Sequence, residues 1–136
     1  MYLLDTNILS ELLKKYPNPY LLSRLSSQPA QNLYTSIICI MELRYGSALR
    51  DDFKIFWEKL VDRVVSQIQV IPVGLKEGLH AGDLLASQRK KGQIIGLEDI
   101  LIAASALSRN FILVTANTRH FQKVEGLVWE NWLAPI

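Results

Sequence analysis

The chain has 136 residues, 49% of them hydrophobic and 21% charged, with one cysteine and a formal net charge of +2. That describes a single domain of ordinary size, able to bury about two thirds of its surface without staples and too apolar to be disordered. Cys39 alone excludes a disulfide framework or a cysteine-based zinc site, His80 and His120 are too few for a histidine-rich one, and +2 does not by itself announce a nucleic-acid binder.

In chain order, Met1 to Leu4 is an apolar run ending at Asp5-Thr6-Asn7, which predicts a buried strand feeding a helix over Ile8 to Lys15, stopped by Pro17. A second short helix starts near Pro19, and Gln28-Pro29 with Asn32 mark a loop. Leu33-Tyr34-Thr35 reads as strand, with Ser36 as N-cap of a helix reaching about Arg50. Asp51-Asp52 opens an amphipathic helix through Val64, and Gln69 to Val73 is a β-branched strand. Leu75 to Lys91 is helical and ended by Gly92; its spacing Gly74-Gly78-Gly82 predicts close helix packing. A helix from about Glu98 to Arg109, a strand Phe111 to Thr115 and a last short strand around Trp129 complete the pattern. Trp57, Trp129 and Trp132 are open to either core or partner roles.

Apolar strands alternating with helices predict an α/β fold with a parallel sheet covered on both faces. Function then belongs beyond the carboxyl ends of the strands, at Asp5, Ser36 and Thr115-Ala116-Asn117. No apolar stretch approaches the ~20 residues that span a bilayer, and no basic leader precedes the first apolar run. The expectation is a soluble cytoplasmic domain without membrane contact.

Phosphate-loop and dinucleotide glycine motifs are absent, as is a nucleophile elbow. Cys39, inside Ile37-Ile38-Cys39-Ile40-Met41, reads as a core residue. Most acids, among them Glu58, Asp62, Glu77 and Asp83, fall on polar helix faces. Three do not. Asp5 terminates an apolar strand, Glu42 lies mid-helix beside Ile38, Met41 and Tyr45, and Asp99 shares a face with Ile102, Ala103 and Ala106. A helix cap or the helix dipole could satisfy Asp5 and Asp99, and an ion pair with Arg44 or Arg50 could satisfy Glu42. If the three meet, two of them about 4 Å apart repel by roughly 4 kcal/mol. A hard divalent cation removes that penalty, and such sites activate water and stabilise phosphoryl oxygens. Spacing alone leaves Glu98 as a rival to Asp99.

Leu3-Leu4-Asp5-Thr6-Asn7, Ser36 with Met41-Glu42-Leu43 and Tyr45-Gly46, Asp99 with Ile102-Ala103-Ala104, and Thr115-Ala116-Asn117-Thr118-Arg119 before Phe121 together resemble a PIN-domain ribonuclease. The closing Val124 to Leu127 and Glu130-Asn131-Trp132 resemble the VapC-type, FitB-like toxins of bacterial toxin–antitoxin pairs. The resemblance covers nearly the whole chain. It implies a single three-layer α/β/α domain over residues 1–136 and an Mg²⁺- or Mn²⁺-dependent endoribonuclease that leaves 3′-hydroxyl and 5′-phosphate ends. Its implied partners are an RNA substrate, a cognate antitoxin and a second copy in a homodimer, with DNA reached only through the antitoxin.

Carried over by position, Asp5, Glu42 and Asp99 are the metal ligands, Asn117 assists, Thr6 and Ser36 orient carboxylates or water, and Arg119 contacts phosphate. The position before Phe121, often acidic in the family, is His120 here, a possible ligand, phosphate contact or cap of the pocket. Basic clusters at Lys14-Lys15, at Arg89-Lys90-Lys91, and at Arg109 with Arg119, His120 and Lys123 are either solvated helix ends or a hold on the RNA backbone.

Overall fold

The structure is a computed structural model that describes residues 1–135. Among these residues, strands β1 (Tyr2–Leu4), β2 (Leu33–Ser36), β3 (Gln69–Ile71), β4 (Ile112–Val114) and β5 (Trp129–Glu130) form one sheet in the order β3-β2-β1-β4-β5. Each neighbouring pair is parallel. The helices are α1 (Thr6–Glu11), α2 (Pro19–Ser26), α3 (Ile37–Ala48), α4 (Phe53–Arg63), α5 (Leu75–Lys90), α6 (Leu97–Leu107) and α7 (Thr118–Phe121). They give the three-layer α/β/α arrangement that the apolar strand runs predict.

The chain builds outward from β1 to β3 on one side, then returns through β4 to β5 on the other. The reversal falls between β1 and β4, and open sheets bind ligands at such a switch point. Register makes this concrete. Leu4 sits opposite Val114, so Asp5 and Thr115 leave the sheet side by side, and the Asp5 amide donates to the Val114 carbonyl at 2.9 Å.

Leu3, Leu4, Leu113 and Val114 are fully buried, as are Ile8, Ile100 and Ile102 from the flanking helices. Each such side chain contributes about 1.5–3 kcal/mol to the driving force for folding. Cys39 is core, and burial with the Asp5 charge nearby pushes its thiol up to about 12. Trp132 is also core, its ring edge-on to Tyr2 at 4.8 Å, whereas Trp57 and Trp129 are half-buried. No described helix is long and apolar enough to cross a membrane.

Local signals fix most boundaries. Asn18 caps α2 through its side-chain oxygen, and Ser36 caps α3 by accepting from the Ile38 amide at 3.1 Å. Gly92, at φ +68°, supplies the left-handed residue that ends α5. The first helix differs from expectation: it starts at Thr6 because Asp5 is its cap, and it ends at Glu11. Leu12, Leu13 and Lys14 then continue as turns whose amides reach back three residues.

Two other expectations fail. Nothing lies within 4 Å of a Cβ built at Gly78 or Gly82, so this spacing serves no packing inside the chain. Glu77 is not a surface acid: it is buried, accepts from the Gly74 amide at 3.0 Å and pairs with Arg109 at 3.0 Å. These bonds, above all the one from its own amide, hold its carboxyl below the usual range.

Candidate active site

The carboxyl ends of β1 and β4, with α1, α3 and α6, enclose a cavity of about 430 Å³. Asp5, Thr6, Asn7, Ser10, Glu11, Lys14, Glu42, Asp99 and Asn117 line it. Asp5, 4% exposed, lies deepest. Its Oδ1 accepts from the Thr6 backbone amide at 2.8 Å, and its Oδ2 from the Thr115 hydroxyl at 2.7 Å and the Asn7 side-chain Nδ2 at 3.3 Å. These donors fix its orientation but carry no formal charge. Burial therefore raises its pKa above the ordinary carboxylate range, opposed by the bonds from Thr115 and Thr6 and reinforced by the Asp99 and Glu42 charges.

Glu42 projects from α3 and accepts from the Thr6 hydroxyl at 2.8 Å. The cations that could have neutralised it are engaged elsewhere: Arg44 stacks on Phe53 and Trp57, and Arg50 chelates Asp52 at 2.7 and 3.0 Å. Of its apolar neighbours Ile38 packs against the core, whereas Met41 and Tyr45 are exposed. Asp99 enters from the first turn of α6, backed by the buried Ile102, Ala103 and Ala106. Its Oδ2 lies 2.8 Å from His120 Nδ1, which is also 2.8 Å from Asn117 Nδ2. As N–H, this nitrogen donates to Asp99; as a bare nitrogen, it accepts from Asn117. Glu98 lies outside this cavity, lining a separate one of about 350 Å³ with Met41, Glu42 and Tyr45.

Thus Asp5, Thr6, Glu42, Asp99 and Asn117 come together, and His120 closes onto them through Asp99. Ser36 and Arg119 do not line the cavity. Ser36 is fully buried as the cap of α3, and Arg119 is exposed on α7. Ser10 and Glu11 line the cavity without a role assigned from the sequence, and two further residues without one hold Asp5. Thr115 bonds Asp5 and accepts from the Asn117 amide at 2.9 Å; Asn7 bonds Asp5 while accepting from the Ala116 amide at 3.1 Å. Thr115 follows β4 directly, in the segment that the strand-end rule singles out, and Asn7 lies in the first turn of α1, three residues beyond β1. A second trough, about 420 Å³, continues from the first through Thr6, Ser10, Lys14 and Glu42 to Gly46, Arg50 and Phe56.

Among the described residues, no three His, Cys, Asp or Glu side chains converge closely enough to hold a metal ion as they lie. The donor set nevertheless suits a hard cation. It is all oxygen, and among the described residues neither Asp5 nor Glu42 has a cationic side chain against it.

Comparison with known proteins agrees with this geometry. The family model of the PIN domain matches residues 2–127. The chain is 36% identical over 132 residues to Ribonuclease VapC2 of Haemophilus influenzae, covering 97% of this chain and 98% of that one. It is 33% identical over 136 residues to the tRNA(fMet)-specific endonuclease VapC of Shigella flexneri, covering 96% and 97%. Among solved structures, VapBC2 from Rickettsia felis, bound to a DNA fragment from its promoter, superposes with a TM-score of 0.88 at 33% identity over 96% of this chain and 98% of that one. With the switch-point carboxylates in place and the match spanning nearly its full length, the chain belongs to the PIN-domain family, among the VapC ribonucleases.

Proposed function

We propose that this protein is a metal-dependent endoribonuclease acting as the toxin of a toxin–antitoxin pair. The observation that carries the reading is Asp5: a buried carboxylate facing Glu42 and Asp99 across one cavity, with no cation of the described residues paired to it, the cavity's Lys14 being bound to Glu11 at 3.1 Å. Leaving like charges so arranged costs several kcal/mol, and a bound Mg²⁺ or Mn²⁺ offsets it. The relatives' ribonuclease activity gives the arrangement its use.

Asp5, Glu42 and Asp99 would hold the ion, which when bound supplies a water of lowered pKa and a counter-charge for phosphoryl oxygens. The protein's own groups do the positioning. Thr115, Asn7 and the Thr6 amide fix Asp5, and the Thr6 hydroxyl fixes Glu42, so neither carboxylate has to reorganise when charge develops. Asn117 and His120 sit where a phosphodiester entering beside Asp99 would meet neutral or cationic donors, and Arg119 can reach a neighbouring phosphate from the rim. Ser36 acts by starting α3, the helix that carries Glu42. Water oxygen attacks phosphorus in line, the bond to the 3′-oxygen breaks, and that oxygen takes a proton, leaving 3′-hydroxyl and 5′-phosphate ends.

The same reading gives partners and location. The structural relatives are toxin–antitoxin complexes, some on DNA, so a cognate antitoxin would hold this chain inactive and carry any DNA contact. A homodimer would cover exposed apolar surface on α5 (Leu75 and Leu79, beside the open Gly78) and on α3 (Ile37, Met41 and Tyr45). The cytoplasm is where such an RNA substrate lies, and a single buried thiol suits it. Incubation of total bacterial RNA with antitoxin-free protein tests the reading. Cleavage in Mg²⁺ or Mn²⁺, absent in EDTA and in Asp99→Asn, is expected; equal cutting in EDTA, or none by folded wild type, would contradict it.

A further inference from the structure

Sequence spacing groups Arg109 with Arg119, His120 and Lys123, and leaves Arg89-Lys90-Lys91 as a separate helix end. The fold regroups them. Arg109 turns to the far end of the α5–α6 pair, where it binds Glu77. The segment after α7 instead lies against the last turn of α5. Gln88 Nε2 donates to the Lys123 carbonyl at 3.1 Å, and Lys91 pairs with Glu125 at 3.1 Å. One ridge therefore carries Arg89, Lys90 and Lys91 from α5 with Arg119 and Lys123 from the α7 segment.

Two facts distinguish this ridge from ordinary helix-end charge. Cations at the end of α5 suit its dipole, whereas Arg119 and Lys123 belong to the four-residue α7 and the residues just after it, a helix of one turn whose dipole is small. Among the described residues, Arg89, Lys90, Arg119 and Lys123 pair with no carboxylate. Five cations against Glu125 give the ridge a local charge of +4, in a chain whose total is +2; everything else sums to −2. Such asymmetry attracts a polyanion to one face. The ridge also meets the acidic cavity. Residue 120, between Arg119 and Lys123, bonds Asp99, and α5 leads through the short 91–96 connection into α6, which carries Asp99.

We propose that this ridge, from Arg119 and Lys123 to Arg89 and Lys90, holds the sugar–phosphate backbone of the RNA on one side of the bond to be cut. The proposal rests on the ribonuclease reading. It assigns substrate grip to side chains outside the cavity and outside the Lys14 side of it, and it makes affinity depend on a stretch of backbone longer than the nucleotides at the cut. Each phosphate so engaged releases condensed counterions, contributing roughly 0.7–0.9 to the slope of log affinity against log salt.

The test is filter binding of bulk bacterial tRNA, and separately of a DNA duplex, by the full chain in EDTA across a salt series, comparing wild type, R89A/K123A and a control, K54A, on α4. The altered side chains are exposed, and the pin to Gln88 uses the Lys123 backbone, so melting curves should coincide. The expected result is tRNA affinity about tenfold weaker for R89A/K123A, with a slope shallower by about 1.4–1.8 and K54A unchanged. Wild-type protein that binds and cuts RNA, with R89A/K123A matching its affinity and slope, overturns the ridge alone. Loss confined to the DNA duplex assigns the surface to DNA and overturns it too. Protein that neither binds RNA nor cuts it on adding Mn²⁺ overturns the ribonuclease reading and the ridge with it.

Discussion

Two buried carboxylates, Asp5 and Glu77, are each 4% exposed, yet their surroundings are opposite. Glu77 has a cation, Arg109, and the Gly74 amide against it, and its pKa is lowered. Asp5 has neutral donors and two further acids, and its pKa is raised. One end of the molecule is internally neutralised and serves to clamp α5 against the end of α6. The other is left short of positive charge by the chain itself. A buried acid that the fold completes is structural, and one that the fold leaves incomplete is waiting for something the sequence does not encode.

Substitutions at the two positions should therefore differ in kind. Asp5→Asn should lower RNA cleavage at least about a hundredfold, about 2.7 kcal/mol in the barrier, while raising the melting temperature in EDTA because it removes repulsion. A cleavage assay beside a thermal melt reads both, and a destabilised Asp5→Asn protein would contradict the comparison. Thr115→Val keeps the shape but deletes the donor to Asp5. Mn²⁺ affinity should fall about 10–100-fold in calorimetry, the usual effect of losing a group that orients a ligand. Glu77→Gln should behave in the reverse way to Asp5→Asn, costing about 1–3 kcal/mol in denaturant unfolding with no change in cleavage per folded molecule.

The smallest effect is in pH. The folded protein holds the Asp5 proton more tightly than the unfolded chain, so this contribution is complete below the ordinary carboxylate range and lost as pH rises through the raised pKa. Glu77 works the other way: its contribution is present above the ordinary range and lost as pH falls through its lowered pKa. In EDTA, Asp5→Asn should remove the decline on the alkaline side, and Glu77→Gln the decline on the acid side, in melts across the carboxylate range.

The sequence makes the Asp5 end legible because an acid closing an apolar strand, or facing Ile102 and Ala103 on a helix, contradicts its surroundings in one dimension. Glu42 was singled out partly on a mistaken premise. Of its neighbours Ile38, Met41 and Tyr45, only Ile38 packs against the core; periodicity reports an apolar face, not what covers it, and Met41 and Tyr45 are exposed. Glu77 shows the opposite error. A glutamate three residues after the helix cap at Gly74 is half of a capping signature, and its burial depends on Arg109, 32 positions away and visible only in the fold. The grouping of basic residues failed for that same reason, since neighbours in sequence separate to opposite ends of α6.

Calorimetric titration of Mn²⁺ into wild-type and Asp5→Asn protein tests the central claim most directly. The account predicts saturable binding by wild type, with a rise in its melting temperature, and neither effect in Asp5→Asn. Equal binding by the two proteins, or none by either at millimolar Mn²⁺, would contradict it.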